Sequence, residues 1–432
     1  MLKRMTALLL AIIVLLSLTG CFDAREIDDA VYAISVGIDK GTQYKVRLTI
    51  QYPTYLSGGG GGVGGGTKKG STGAEKKNAQ PGSNVHTIEA PTMLEAVDMF
   101  SVAMSRHVSL MHAKWFIFSE DFAREGIEAY IAGLERYRET RSSTSVLVTR
   151  GTAEEFILEN QSTIGESLSK SVELFLAQSS ETGFFPWVKF LDLYNAVFSP
   201  YKCAIALYGG INQFNQAPGV KETAASVESR KGLLPGEVPR LGIIKRELVG
   251  LAVFQGGKMT GYLDAYETAF YLMIIGKYSG GKISIPDKYS PANTIVFDLH
   301  KSRTPKVKVV FKDGKPVIDL NIELESEVFV IQSRVDYENL SLAGELENQI
   351  RQYVLEGMKH TVKKTQKELK ADIFGFGEKV AGSFSTIEEW ESYNWLSHYP
   401  ETTVNITLDV KVRRTGLINH SSPIFSNTGK ER

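Results

Sequence analysis

Hydrophobic residues along the chain recur either in alternation or at spacings of three and four, the patterns of strands and amphipathic helices. Up to about residue 200 the predicted elements are strands at 31–38, 44–52, 85–89, 114–118 and 145–148, and a helix at 127–137. Thr92 and Thr152 are each followed three residues later by a glutamate, the capping-box pattern that marks two further helix starts. The alternation predicts helices packed on a sheet in a first α/β region, 21–200.

Two further regions of regular patterning follow. A middle region, 201–290, contains strand-like runs and then a helix that begins at Asp264, and a third region, 291–418, begins with a hairpin about Asp313 and Gly314. The predicted elements are strands at 241–245, 248–254, 258–262, 306–311, 317–322 and 404–412, and helices at 264–275 and 342–362. The mixed pattern predicts an α+β fold class, and residues 419–432 are predicted to be a disordered tail.

One segment interrupts the pattern. Residues 57–84 contain eleven glycines, four lysines and almost no large apolar side chains. Such a composition buries too little surface to offset the entropy of ordering, so we expect a flexible Gly-rich segment. Because the strands before and after it fit one sheet, we interpret it as an insertion within the first domain.

The chain begins with a short apolar run behind two positive charges. Lys3 and Arg4 precede residues 5–18, which carry no charge and would rise about 21 Å as a helix, less than the roughly 30 Å of a bilayer core. This pattern is typical of a cleaved secretory signal peptide, here residues 1–20. A buried N-terminal helix is the alternative, and it leaves the two charges unexplained.

The end of the leader resembles the bacterial lipoprotein signal. Two small residues, Thr19 and Gly20, stand before Cys21, the position at which that signal attaches a diacylglyceryl group. Two acyl chains on one cysteine give stable anchoring where one chain is marginal. The sequence therefore predicts Cys21 as a lipidation site on a chain that is otherwise outside the membrane.

Composition excludes several classes of protein. The 432 residues include 49 basic and 49 acidic groups, and loss of Lys3 and Arg4 with the leader would leave 47 against 49, a net charge of −2. A balance of this kind argues against nucleic acid as a partner. Two cysteines cannot form a four-thiolate zinc site or a disulfide framework.

Candidate residues for chemistry are few. Cys203 lies in an apolar run and is interpreted as an inert buried thiol, with a catalytic role as the alternative. His107 and His112 are five residues apart, the wrong offset for one helical face. The glycine run 59–66 contains G-x-G-x-x-G, but no helix follows at once and Thr67 stands where a P-loop needs lysine.

Two groups of carboxylates leave alternatives open. Glu323, Glu325 and Glu327 share one face of a predicted strand and are either paired catalytic groups or, as we favour, a solvated face. A second group alternates acids with aromatic residues, and comprises Glu388, Glu389, Trp390, Glu391, Tyr393 and Trp395. It fits a sugar-binding groove or a helix with an aromatic core face, and we favour the helix. We expect no catalytic, cofactor-binding or metal-ligating residue, no cofactor, and no enzyme activity.

The chain resembles the Ger(x)C family, the lipoprotein C subunits of spore germinant receptors. The resemblance is carried by blocks in a fixed order: Arg25-Glu26-Ile27, Gly37-Ile38-Asp39, Ser105-Arg106-His107-Val108, Phe118-Ser119-Glu120, Ala123-Arg124-Glu125-Gly126, Lys245-Arg246-Glu247-Leu248-Val249-Gly250, Asp372-Ile373-Phe374-Gly375-Phe376-Gly377 and Val412-Arg413-Arg414-Thr415-Gly416. Two features depart from the family pattern, Phe22 in place of a frequent Trp and the long glycine insertion.

This resemblance implies three domains, each a β-sheet flanked by helices, matching regions 21–200, 201–290 and 291–418. It implies a lipid-anchored subunit on the outer face of the spore inner membrane, with membrane-embedded A and B subunits as partners in a nutrient receptor. The nutrient site is attributed to those partners, so no direct small-molecule ligand is expected here. The competing hypothesis is a free-standing solute-binding lipoprotein that captures amino acids or sugars in a cleft.

The block at 372–377 has two interpretations. We favour a C-cap that ends the long predicted helix, with Phe374 and Phe376 packed on the core. A contact surface for a partner is the alternative.

Overall fold

The structure, a computed structural model, describes residues 1, 4–7, 29–54, 79–80, 83–161, 167–213, 230–333, 335–414, 424–426 and 429–431. Cys21, most of the leader and most of the glycine insertion lie outside these ranges. No helix among the described residues is both long and apolar enough to cross a membrane.

The first eleven strands build mainly one large sheet. They are β1 (Ala30–Tyr32), β2 (Ser35–Lys40), β3 (Val46–Pro53), β4 (Ala79–Gln80), β5 (Ser83–Ala90), β6 (His107–Ser109), β7 (Trp115–Ser119), β8 (Ser145–Thr149), β9 (Ile205–Ile211), β10 (Arg246–Gln255) and β11 (Lys258–Leu263). Nine of them form the N-terminal sheet in the order β11-β10-β9-β8-β7-β2-β3-β5-β4, while β1 and β6 pair separately. Strands β2, β7, β8 and β9 are parallel, so all four begin at one edge.

Seven helices accompany this sheet within the described part of residues 29–263. They are α1 (Met93–Ala103), α2 (Glu120–Glu125), α3 (Glu128–Arg136), α4 (Ala153–Leu158), α5 (Leu168–Ala177), α6 (Ser179–Thr182) and α7 (Phe190–Val197). Strands β7 and β8 are buried at every position, which explains their continuous apolar sequence. The predicted caps are present, since Thr92 and Thr152 each accept a hydrogen bond from the amide three residues on.

The strands flanking the glycine insertion are neighbours, as predicted. β3 pairs with β5 in antiparallel register from Val46–Ala90 to Pro53–Ser83. The insertion therefore interrupts a single sheet between adjacent strands, and both of its flanks lie at the edge where the parallel strands begin.

The remaining elements build the C-terminal sheet and its helices. They are α8 (Ala265–Ile274), β12 (Ile283–Asp287), β13 (Ser290–Lys301), β14 (Lys306–Lys312), β15 (Lys315–Ile331), α9 (Leu340–Lys367), α10 (Phe376–Val380), α11 (Ile387–Tyr393), α12 (Trp395–His398) and β16 (Thr403–Arg414), with single turns of 3-10 helix at Ala381–Ser383 and Tyr399–Glu401. Five strands pair in the order β12-β13-β15-β14, with β16 parallel to β15 on its other side.

Helix α9 covers one face of the C-terminal sheet. Its buried side chains fall at the predicted helical spacing, at Leu346, Ile350, Val354, Met358 and Val362. Helix α8 packs against it so closely that a Cβ on Gly357 would lie 2.2 Å from the ring of Phe270. The close approach explains why a glycine stands in the middle of a long helix.

The mixed α/β class is confirmed, but the sheets do not follow the predicted boundary at residue 200. Strands β9, β10 and β11, assigned to a middle region 201–290, extend the N-terminal sheet instead. Parallel pairing of β9 with β8 and antiparallel pairing of β10 with β9 decide this, and sequence periodicity carries no information on such long-range partners. The division of the chain into three domains stays a prediction.

Two local predictions differ from the structure. Residues 241–245 form a loop and not a strand, because the guanidinium of Arg240 donates to the carbonyls of Ile244 and Lys245 and closes the segment on itself. The tail predicted to be disordered contains the antiparallel pair β17 (Ile424–Ser426) and β18 (Gly429–Glu431).

Candidate functional site

A large cavity lies where the N-terminal and C-terminal sheets meet. This junction cleft has a volume of about 630 Å³ and is lined, among others, by Trp187, Lys202, Cys203, Tyr271, Phe374 and Glu378. Its walls come from both halves of the chain, from α6, α7 and the start of β9 on one side and from α8 and residues 373–378 on the other.

A buried carboxylate organises the C-terminal wall. Asp372 is fully buried, and one of its oxygens accepts from the amides of Phe374 (3.1 Å) and Gly375 (3.0 Å). The other accepts from the amide of Gly377 (2.9 Å) and the indole Nε1 of Trp395 (2.9 Å). The carboxylate thereby holds the turn before α10 in a single shape.

Burial dominates the electrostatics of this carboxylate. It raises the pKa of Asp372 to about 6, even though the N–H donors of Gly377 and Trp395 favour the ionised form. Because this pKa lies above the ordinary value, the contribution of Asp372 to stability falls as the pH rises towards 6.

The two glycines of the block at 372–377 are required for different physical reasons. Gly375 has a φ of +77°, a backbone conformation that a side chain disfavours. Gly377 has the carbonyl oxygen of Tyr201 2.2 Å and Cδ1 of Trp395 2.4 Å from where a Cβ would lie. A glycine at 377 therefore lets the two halves of the chain approach closely.

The block at 372–377 does not form the C-cap of the long helix, so the C-cap interpretation is wrong. Helix α9 already ends at Lys367, and Asp372 caps the beginning of α10. Lys370, with a φ of +48°, turns the chain between the two helices. The packing of the phenylalanines agrees with the prediction, since Phe376 is buried and stacks on Phe374 with ring centroids 5.1 Å apart.

Cys203 lies in the cleft wall as a buried free thiol. Its amide donates to the carbonyl of Asp372 at 2.7 Å, which ties the start of β9 to the C-terminal turn. Burial first, and then the charge of Asp372, raises the pKa of the Cys203 thiol to about 12, so the thiol is neutral at physiological pH. A neutral buried thiol is a poor nucleophile, which fits the inert reading.

Charged side chains at the cleft join the two halves further. Lys202 of the N-terminal half pairs with Glu378 of the C-terminal half at 2.8 Å, whereas the bond from Lys301 to the carbonyl of Gly276 (3.0 Å) lies within the C-terminal half. Near the cleft, one guanidinium nitrogen of the buried Arg230 donates to the carbonyls of Thr182 (2.9 Å) and Lys282 (3.0 Å). These contacts connect helix α6 with the strand that opens the C-terminal sheet.

The other predicted candidates do not converge on the cleft. Glu323, Glu325 and Glu327 share the solvent side of β15, where two of them pair with Arg303 and Arg413. This arrangement is the solvated face that we favoured over paired catalytic groups.

The acidic and aromatic segment forms α11 and the first residue of α12, separated by the left-handed Asn394, and it has two distinct sides. Trp390 and Trp395 are buried, while Glu388, Glu389 and Glu391 are exposed, so the aromatic side belongs to the core. His107 lies 3.7 Å from Glu139, and His112 lies edge-on against the ring of Tyr32. Across the described ranges no group of three or more His, Cys, Asp or Glu side chains is placed to hold a metal ion.

Among the buried charged groups that sequence reasoning did not single out are Arg230 and Glu247. Arg230 had no motif around it. Glu247 stands in a family block and accepts from Asn212, Arg240 and the amide of Gly236, each at 2.7 Å. A charged residue inside an otherwise apolar strand was the available signal for Glu247, because an unpaired carboxylate is rarely buried there.

Comparison with known proteins identifies the chain. The family model "Spore germination protein N-terminal domain" matches residues 23–210, and "Spore germination B3/ GerAC like, C-terminal" matches residues 249–416. These matches place the chain among spore germination proteins. It belongs to the Ger(x)C family, which confirms the resemblance seen in the sequence blocks.

Individual relatives match over nearly their full length. Spore germination protein KC of Bacillus subtilis (strain 168) is 24% identical over 95% of this chain and 97% of that protein. Spore germination protein GerQC of Bacillus cereus is 20% identical over 95% of this chain and 98% of that protein. The crystal structure of the GerBC protein aligns with 88% of this chain and 96% of that chain, at 17% identity and a TM-score of 0.48.

Proposed function

We propose that this chain is the lipid-anchored C subunit of a nutrient germinant receptor in the spore inner membrane. A diacylglyceryl group on Cys21 holds it on the outer face, and it acts by assembling with membrane-embedded A and B subunits to trigger germination. One observation carries the proposal: the family match begins at residue 23, two residues after Cys21, which directly follows the predicted leader 1–20.

The structure supports an assembly role over a catalytic one. The buried thiol of Cys203 is neutral, and the Asp372 carboxylate is occupied by backbone and indole donors. These residues hold two halves of the chain together, as a docking subunit requires.

The anchor is tested by replacing each cysteine in turn. Spores that carry Cys21→Ala should lose fatty-acid labelling of this protein, release it from the membrane fraction and germinate more slowly on nutrients. Cys203→Ala is the matched control, since it removes the other thiol from a buried site and should leave labelling and location unchanged. Normal membrane retention and germination in Cys21→Ala spores would contradict the anchor.

The partners are tested by crosslinking and co-purification from spore membranes. The A and B subunits should be recovered with the wild-type protein at constant ratios. Recovery of this chain without any other germination protein would contradict the assembly role.

A solute-binding lipoprotein is the second candidate, favoured by one observation, the junction cleft of about 630 Å³ between the two sheets. A thermal-shift screen with amino acids and sugars separates the two functions. A clear rise in melting temperature with one of these solutes would favour solute capture, and no rise would favour assembly.

A further inference from the structure

One edge of the N-terminal sheet carries the point at which the chain enters the domain, at Asp29. Strands β2, β7, β8 and β9 all begin at this edge. Strand β1, which follows Asp29, pairs with β6. The ring of Tyr32 lies edge-on against His112, with centroids 4.6 Å apart. The entry of the chain and the loops before β7 and β8 therefore form one continuous surface.

We call this surface the basal face and define it by Arg106, Met111, Lys114, Arg141 and Trp187. It contains a hollow of about 370 Å³ between the loop before β7, the loop before β8 and helix α5. Three cations line the hollow, Lys114, Arg141 and Lys170, against the single carboxylate of Glu173. Glu173 lies 2.6 Å from Lys114 and 3.8 Å from Lys170, so it offsets only part of the positive charge.

The pKa of His112 reflects the same surplus of positive charge. Burial first, and then the charges of Arg141 and Lys114, lower the pKa of His112. The hollow is thus a site of positive potential that suits an anionic group.

Large apolar side chains surround these cations. Trp187 is 50% exposed, Met111 45% and Leu174 41%, and all three line the hollow. Val102, at the end of α1 beside Arg106, is 90% exposed. Exposed Trp and aliphatic side chains interleaved with Arg and Lys are the composition that favours a lipid–water interface.

The position of the anchor sets which way this face points. Cys21 stands eight residues before Asp29, a separation that an extended chain spans in at most about 29 Å. A bilayer that holds the lipid on Cys21 therefore lies within that distance of Asp29. Asp29 and Arg106 line one surface hollow, so the Arg106 end of the basal face lies near the entry of the chain.

We propose that the basal face docks directly on a bilayer that contains anionic phospholipid, a contact that rests on the proposed anchor for its orientation. Lipid phosphates contact Lys114 and Arg141 in the hollow, and Trp187 enters the boundary between headgroups and acyl chains. Because Trp187 also lines the junction cleft, the cleft opens beside the docked surface.

The test uses the chain from residue 22 onward, without leader or lipid. This chain retains the described core, whose first residue is Ala33. Vesicles of phosphatidylcholine, with and without phosphatidylglycerol, carry brominated acyl chains that quench nearby tryptophan. Trp187 is the reporter, because Trp115, Trp390 and Trp395 are at most 4% exposed.

We expect binding to the anionic vesicles, weakened by salt, with quenching that Trp187→Phe abolishes. Arg106→Ala with Arg141→Ala should weaken binding by about tenfold or more, since each basic side chain near an anionic surface contributes measurably. The matched control is Lys306→Ala with Lys308→Ala, which removes the same charge from the exposed strand β14 and should leave binding unchanged.

Three results would overturn the proposal: equal binding to neutral vesicles, equal loss in both double variants, or binding without quenching of Trp187. Fatty-acid labelling of Cys21 separates this inference from the anchor. If Cys21 is labelled but the chain does not bind vesicles, the docking of the basal face is contradicted and the lipid anchor stands. If Cys21 is not labelled but binding depends on charge, the lipid anchor is contradicted and the docking of the basal face through its charged residues is supported.

Discussion

Glu247 in the N-terminal half and Asp372 in the C-terminal half are both buried carboxylates, but these two are stabilised differently. In the N-terminal sheet Glu247 accepts from the guanidinium of Arg240 as well as from Asn212 and backbone amides. In the C-terminal half the bonds to Asp372 come from neutral donors, the amides of its own turn and the indole of Trp395. The first carboxylate is charge-compensated and the second is not.

This difference shows how a position in the fold sets the behaviour of a side chain. The contact between Glu247 and Arg240 holds a surface loop against the first residues of β10. There the long arginine side chain reaches the carboxylate while remaining 29% exposed. Asp372 lies where the two sheets meet, and there the space is filled by Cys203, Trp395 and glycine backbone. A neutral environment at that point links folding to protonation.

The largest expected effect is loss of the compensating cation in the N-terminal sheet. Arg240→Met should lower the free energy of unfolding by about 3 kcal/mol, because a buried carboxylate loses its cationic partner. Denaturant unfolding measures it. Arg303→Met is the control, since its partner Glu323 is solvated and the pair contributes little.

A second substitution makes this prediction specific to charge. Adding Glu247→Gln to Arg240→Met should recover part of the lost stability, because the buried group is then neutral. If the double variant is less stable than the single one, the arginine acts through packing and the contrast with Asp372 fails.

The next effect concerns the pH dependence of the C-terminal carboxylate. Because the folded pKa of about 6 lies above the unfolded value, Asp372 contributes most stability in acid and loses that contribution as the pH rises from about 4 to 6. The difference in unfolding free energy between wild type and Asp372→Asn should fall by about 3 kcal/mol over that window.

Unfolding curves at pH 4, 5, 6 and 7 measure this change. Asp372→Ala also removes the titrating group, so it must show the same change relative to wild type even though its absolute stability differs. A difference that stays constant from pH 4 to 7 would show that Asp372 titrates in its ordinary range.

The smallest expected effect is steric. Gly377→Ala should lower the free energy of unfolding by about 2 kcal/mol, because its Cβ meets the Tyr201 carbonyl and the Trp395 ring. Gly382→Ala, five residues on, has open space and should be tolerated, which makes it the matched control. Equal melting temperatures for the two variants would mean that the sheets separate more easily than their contacts indicate.

Local pattern predicted most of the elements because their causes are local. The spacing of Leu346, Ile350 and Val354 predicts α9, and Asp313-Gly314 predicts the hairpin of β14 and β15, as the structure shows. The loop at 241–245 was predicted as a strand because its apolar residues resemble one. Its shape depends on Arg240, whose hydrogen bonds the hydrophobic pattern does not encode.

By itself the sequence determined the class of fold, the family and the position of the predicted lipid anchor, since each rests on short segments read in order. Only the tertiary structure decided that β9, β10 and β11 extend the first sheet, that the Asp372 side chain caps the start of α10, and that Lys114, Arg141 and Trp187 share one face. These residues are brought together by strand pairing across distant parts of the chain. Periodicity records which side of an element is buried, and it does not record which partner buries it.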